Sequence, residues 1–309
     1  MRSFTPPPAD FDPLTASDRE LLVHGYPTRP DARIQPELAA RWQEMMSRPL
    51  RFVQPEFELL PDTFHGPRCP ASPADTAGLT DTTLTDSAWS GAVVLARPDD
   101  TIQSVTGEWS VPNVGHFVPC PPSYTSQWIG IDGDGSPNVV QAGSATDKAG
   151  LGSSTYLWYE WTPQPSVKIT NIDVNPGDVI YGLICAQAPT TAAISLVNVT
   201  AGTMASFSVH PPATGTALVG NSAEWIVEAP LINNVQSVPG HFGVVFFDNA
   251  FASTAAHASL DGGKADELFS MVQNGVTLSV PRELGSGVLK CTHQPSASPA
   301  SSGGGPTGR

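Results

Sequence analysis

From residue 86 to residue 291 the chain is broken into short stretches of strand composition, and no helical period survives across them. The stretches are Trp89–Ala96, Ser104–Val111, Thr125–Ile131, Thr155–Trp161, Val167–Val174, Val179–Ala186, Ala193–Val199, Ser206–His210, Ala223–Val227, His241–Phe247 and Val276–Val280. β-Branched and aromatic residues fill them, and Gly, Pro, Asn and Asp punctuate the gaps. Asn175-Pro-Gly-Asp178 has the composition of a tight turn. So many short antiparallel candidates predict an all-β domain, a sandwich of two antiparallel sheets, over residues 86–291.

Residues 1–85 read differently. Ser17 and Glu20 have capping-box spacing ahead of Leu21, Leu22 and Val23, and Gly25 and Pro27 follow as stop signals. A second helix is expected from Pro36 to Ser47, where Leu38, Trp42 and Met45 recur at helical spacing before Pro49. Residues 60–85 read as a linker. The whole is either a short helical appendage packed on the domain or a propeptide. The Ser/Pro/Gly-rich tail, residues 292–309, is expected to be disordered.

Charge narrows the function. The 309 residues carry a net charge of -14 and a pI near 4.7. No basic patch is available to displace counterions, so nucleic acid is excluded as a partner. No apolar run is long enough for a membrane helix, and no membrane partner is expected. The N-terminus lacks the apolar core of a secretory signal. The four cysteines, Cys69, Cys120, Cys185 and Cys291, have no metal-ligand spacing, and three disulfide pairings are open to them.

Three strand-like runs carry a polar residue that a buried strand would not choose. Gln141 follows Asn138-Val-Val140. Glu160 lies in Tyr156-Leu-Trp-Tyr-Glu-Trp161. Glu224 and Glu228 bracket Trp225-Ile-Val227. In extended chain Tyr156, Trp158 and Glu160 share one face, as do Glu224 and Glu228, while Leu157, Tyr159, Trp161, Trp225 and Val227 take the other. A carboxylate among aromatics is costly to ionise, so its pKa rises, which suits acid–base hydrolysis. Each residue also has a plainer reading: an amide satisfied by nearby backbone, a packed aromatic stripe, two ordinary surface acids.

Other chemistries lack their residues. The seven His include no i, i+4 metal pair, and there is no Gly-x-Ser-x-Gly elbow. Asp132-Gly-Asp134-Gly lacks the remaining ligands of a calcium loop. No metal and no cofactor is expected.

The ordered set Ser87-Ala-Trp89-Ser-Gly91, Trp128-Ile-Gly-Ile-Asp132, Gln141-Ala-Gly143, Tyr156–Trp161 and Ala223–Glu228 resembles the glutamic peptidase (eqolisin) family. The resemblance implies a concanavalin-like sandwich with a concave groove. It implies an acid endopeptidase acting on polypeptides through a Gln141/Glu228 dyad. Trp128, Asp132, Trp158 and Glu160 would line the cleft, and Glu224 would support it. Secretion and zymogen character fit the resemblance, and a monomer is expected. The chain departs from the fungal pattern at Ser136-Pro137, where their main disulfide would have its cysteine. Rival readings are a lectin-like sandwich that binds glycans or peptides without turnover, and a glycoside hydrolase using Glu160 and Glu228.

Overall fold

The computed structural model describes residues 2–33, 36–68, 84–115 and 121–294. The chain opens with β1 (Arg2–Ser3), α1 (Asp18–Val23), α2 (Pro36–Met46), β2 (Arg51–Phe52), β3 (Phe57–Leu59) and β4 (Thr63–Phe64). The domain follows with β5 (Leu84–Asp86), β6 (Trp89–Leu95), β7 (Ile102–Ser110), β8 (Ser123–Ile131), β9 (Val140–Ala149), β10 (Gly152–Trp161) and β11 (Val167–Ile169). Next come β12 (Val179–Ala188), β13 (Thr191–Asn198), β14 (Thr203–Val209), β15 (Ser222–Glu228), β16 (Leu231–Ile232) and β17 (Val235–Gln236). It closes with β18 (Val244–Thr254), β19 (Ser259–Asp261), β20 (Glu267–Gln273), β21 (Val276–Gly285) and β22 (Val288–His293).

The pairings describe two layers. One runs β20-β6-β15-β8-β9-β10-β11, with β3 on its edge. The other runs β14-β13-β12-β7-β18-β22-β21. They join where β20 pairs with β21 across Asn274-Gly275. Both of those residues hold positive φ, 51° and 74°, the backbone that a two-residue hairpin of the I′ type needs and that Asn-Gly supplies most cheaply.

The main core lies between the layers. Trp225 and Val227 of β15, Ile129 of β8, Ala142 of β9 and Leu157, Tyr159 and Trp161 of β10 meet Trp109, Ile184, Ile194, Phe207 and Phe247 there. A sheet face that packs so many large side chains fixes its register, because a one-residue slip would send every one of them outward. The alternate residues of β8, β9, β10 and β15 therefore have one other face to occupy.

The sandwich is as the sequence implies, and eight of the eleven expected strands match within three residues at each end; His241–Phe247 forms as Val244–Thr254, and Val276–Val280 runs on to Gly285. Val167–Val174 is shorter, ending at Ile169. The strand β9, Val-Gln-Ala-Gly-Ser-Ala-Thr-Asp-Lys-Ala, is not among the expected strands, because its small and polar residues have little strand preference. The α1 capping box forms, with Ser17 and Glu20 each satisfying the other's backbone N–H. Helix α2 matches its expected span. The N-terminal region is not only helical, since β1 and β2 pair with β14, β3 with β11 and β4 with β16. Cys185 and Cys291 are free thiols, while Cys69, Cys120 and most of the expected linker and tail lie outside the described residues.

Candidate active site

The second face of the layer that runs from β20 to β11 is a grid of aligned residues. Across β15, β8, β9 and β10, one row reads Glu224, Gly130, Gln141, Glu160. The next reads Ile226, Trp128, Gly143, Trp158. The third reads Glu228, Ser126, Ala145, Tyr156. Directly opposed residues in antiparallel strands share a face. Five of the six residues expected in the site, Gln141, Glu228, Trp128, Trp158 and Glu160, thus fall on one surface. Gly143 keeps the middle row low: a Cβ there would run into the Gln127 carbonyl and lie 2.6 Å from Trp128 Cβ.

Burial is nearly complete on this surface. Glu160, Glu224 and Glu228 are at most 1 % exposed, so the reading of Glu224 and Glu228 as ordinary surface acids fails. Burial drives the pKa of each well above the usual carboxylate range. For Glu228 the nearby charges of Glu160 and Asp86 push in the same direction. Trp128 Nε1 donates to Glu228 Oε2 at 2.7 Å and partly offsets that rise. Asp132 and Asp134 likewise oppose ionisation of Glu224.

Asp132 stands apart from the grid. It ends the approach of β8 with a φ of 67°, and its carboxylate accepts from the backbone N–H groups of Val219, Gly220 and Asn221 at 2.7, 2.7 and 3.0 Å. It ties down the loop that enters β15, and so holds the strand that carries Glu224 and Glu228.

The grid face is covered by the chain itself. Residues 57–68 form a strap that enters as β3 beside β11 and leaves with Arg68 N–H bonded to the Gly133 carbonyl at 3.0 Å. Its central residue, His65, had no role in the sequence reading. Gln141 Nε2 donates to the His65 carbonyl. Glu160 Oε2 accepts from His65 N–H at 2.9 Å. The imidazole stacks on Trp158, centroids 3.6 Å and planes 12° apart. Its Nδ1 lies 2.8 Å from Ser166 Oγ and its Nε2 2.6 Å from Ser126 Oγ. Burial pushes the His65 pKa well below its ordinary value. Gln141 Oε1 and Glu160 Oε1 have no hydrogen-bond partner among the described residues.

Ser126 and Ser166 were also missed, because a serine in a strand or a turn carries no signal by itself. His65 sits in Thr63-Phe-His-Gly-Pro, a stretch that reads only as linker.

Two solved glutamic peptidases share this fold. Scytalido-glutamic peptidase, solved with a peptide-based transition-state analogue, matches with a TM-score of 0.57 at 22 % identity, covering 67 % of this chain and 98 % of that one. Aspergilloglutamic peptidase from Aspergillus niger matches with a TM-score of 0.51 at 24 % identity, covering 56 % and 99 %. In sequence, aspergillopepsin-2 of Aspergillus niger is 27 % identical over 233 residues, 69 % of this chain and 80 % of that protein. Residues 87–293 match the Peptidase A4 family, and the chain belongs to that family. It is a glutamic endopeptidase, and polypeptides are its substrates.

Proposed function

We propose that Gln141 and Glu228 form the catalytic dyad of an acid endopeptidase, with no metal and no covalent acyl-enzyme. The observation that carries this reading is the hold of Gln141 Nε2 on the carbonyl of a peptide residue lying in the groove. A donor aimed at a peptide carbonyl is what stabilises the oxyanion of a tetrahedral intermediate. Gln141 Oε1, which has no partner among the described residues, is available to orient the attacking water. Glu228 takes a proton from that water as its oxygen adds to the carbonyl carbon. It then returns the proton to the amide nitrogen as the C–N bond breaks, leaving a carboxylic acid and an amine. Trp128 holds Glu228, Trp158 and Glu160 line the cleft, and Asp132 steadies the loop behind it.

Residues 1–85 act in this reading as a propeptide, and the strap is its inhibitory element. With the strap docked, Gln141 Nε2 is committed to the His65 carbonyl and the face of Trp158 to its ring, so neither is open to an external peptide. Departure of the strap frees both.

The test is digestion of a denatured protein across about pH 2 to 7, the wild type beside Glu228→Gln. Acid cleavage by the wild type alone supports the dyad. Equal cleavage by both overturns it.

A further inference from the structure

His65 is held in the groove as a substrate residue would be. Its N–H is bound by Glu160 and its carbonyl by Gln141, so both ends of one residue are fixed on the grid. The side chain between those ends enters a pocket built for a flat ring with a polar atom on each side. Trp158 provides the plane, and Ser166 and Ser126 stand at the two ring nitrogens.

The hydroxyls set the fit further. Ser166 Oγ donates to Glu160 Oε2 at 2.6 Å, so towards His65 it can only accept, and Nδ1 carries the proton. Nε2 then accepts from the Ser126 hydroxyl. The pocket is complementary to a neutral imidazole in one tautomer. A phenyl ring could lie on Trp158, but it would strand two buried hydroxyl contacts, each worth roughly 1 kcal/mol or more. An aliphatic side chain would lose the stacking as well.

We propose that Trp158, Ser126 and Ser166 form the subsite for the residue preceding the cleaved bond, and that this subsite selects histidine. The strap therefore displays the preferred recognition element of the enzyme. The inference rests on the dyad reading, because the Gln141–carbonyl contact is what makes residue 65 the acyl side of the presented bond. Arg68, three residues on, extends the pattern: its guanidinium pairs with Asp134 at 2.9 Å and lies over Phe269. Hydrolysis after His needs nothing beyond water, which adds hydroxyl to the acyl carbon and hydrogen to the departing nitrogen.

The titratable groups around the pocket are Glu160 on β10, 3.6 Å from Nδ1, and Glu228 on β15, whose register partner is Ser126. Both are buried acids that favour the neutral form. Neither supplies a charge to hold an imidazolium in acid, so selection for His strengthens as the pH approaches the ordinary range of that ring.

The experiment uses the full chain and a peptide series that varies only the residue before the cleaved bond, as His, Phe, Leu, Gln or Lys. The ratio of kcat/KM for His over Phe is read between about pH 2 and 7, in wild type and in Ser126→Ala. The expected ratio is about tenfold or more at the least acid pH that supports cleavage, equivalent to one buried hydrogen bond, and Ser126→Ala lowers it about tenfold. A ratio of one or less in the wild type overturns the subsite and leaves the peptidase standing. A ratio unmoved by Ser126→Ala overturns the serine's role in it. No cleavage of any peptide by the folded wild type overturns the dyad reading and the subsite together.

Discussion

Gln141 and Glu160 face each other across β9 and β10, and each holds one backbone end of the same residue, His65. Two side chains in register can grip a peptide residue only if their strands are locked, and the large residues packed on the reverse face supply that lock. The geometry of the proposed site is a consequence of sheet register.

Glu228→Gln keeps the shape of the side chain and its contact with Trp128 but removes the proton carrier of the proposed dyad. Activity falls by about 10³-fold or more, while the circular dichroism spectrum is retained. Gln141→Ala removes the carbonyl donor and costs about 10²- to 10³-fold in kcat. Peptide hydrolysis in acid with each variant is the measurement.

The three buried glutamates shape stability. Their folded pKa values lie above the unfolded value near 4.5, so the folded state binds more protons than the unfolded one above that pH. Their contribution is fully present below about 4.5 and is lost as the pH rises towards the folded values. Glu224→Gln should flatten this decline, seen as a smaller loss of denaturation midpoint between about pH 4.5 and 8 than in wild type. An identical slope in the variant would show that Glu224 ionises freely in the fold.

His65 titrates with the opposite sign. Its folded pKa is lowered, so acid favours the undocked strap once the pH falls below about 6.5, the ordinary value for the ring. Hydrogen exchange in residues 57–68 should accelerate on acidification while that of β8 and β15 does not. His65→Ala should show fast strap exchange already at neutral pH. A strap that stays protected down to about pH 3 would contradict this.

Gly143→Ala tests the low middle of the grid. The added methyl meets the Gln127 carbonyl and the Trp128 side chain, neither of which can move without breaking the β8–β9 ladder. The expected loss is about 3 kcal/mol in denaturant unfolding.

Much of this was legible in the residues. Alternation placed Trp158 and Glu160 on one face and Leu157, Tyr159 and Trp161 on the other, and put Glu224 and Glu228 together, because a strand's period is two and the aromatics leave no choice of side. Burial of both glutamates was not legible, since the pattern of β15 alone fits a solvated face equally well. Nor was the occupancy of the groove. The contact of Gln141 with His65 spans 76 positions of sequence, and local periodicity says nothing over such a distance. Asp132 was expected as a cleft residue on resemblance, and its partners at Val219, Gly220 and Asn221 lie in a loop whose composition gives no hint of a carboxylate beneath it.

The bond between Gln141 and the His65 carbonyl has a kinetic corollary. One amide cannot serve two carbonyls, so the tethered segment and an external peptide are mutually exclusive occupants. Under the proposed propeptide role, the intact chain is its own competitive inhibitor, present at a fixed effective concentration that dilution does not change. Only molecules caught with the groove vacant can bind a peptide, and affinity is reduced by that fraction. Intact and trimmed forms should therefore differ in KM and agree in kcat, with saturating peptide erasing the difference between them.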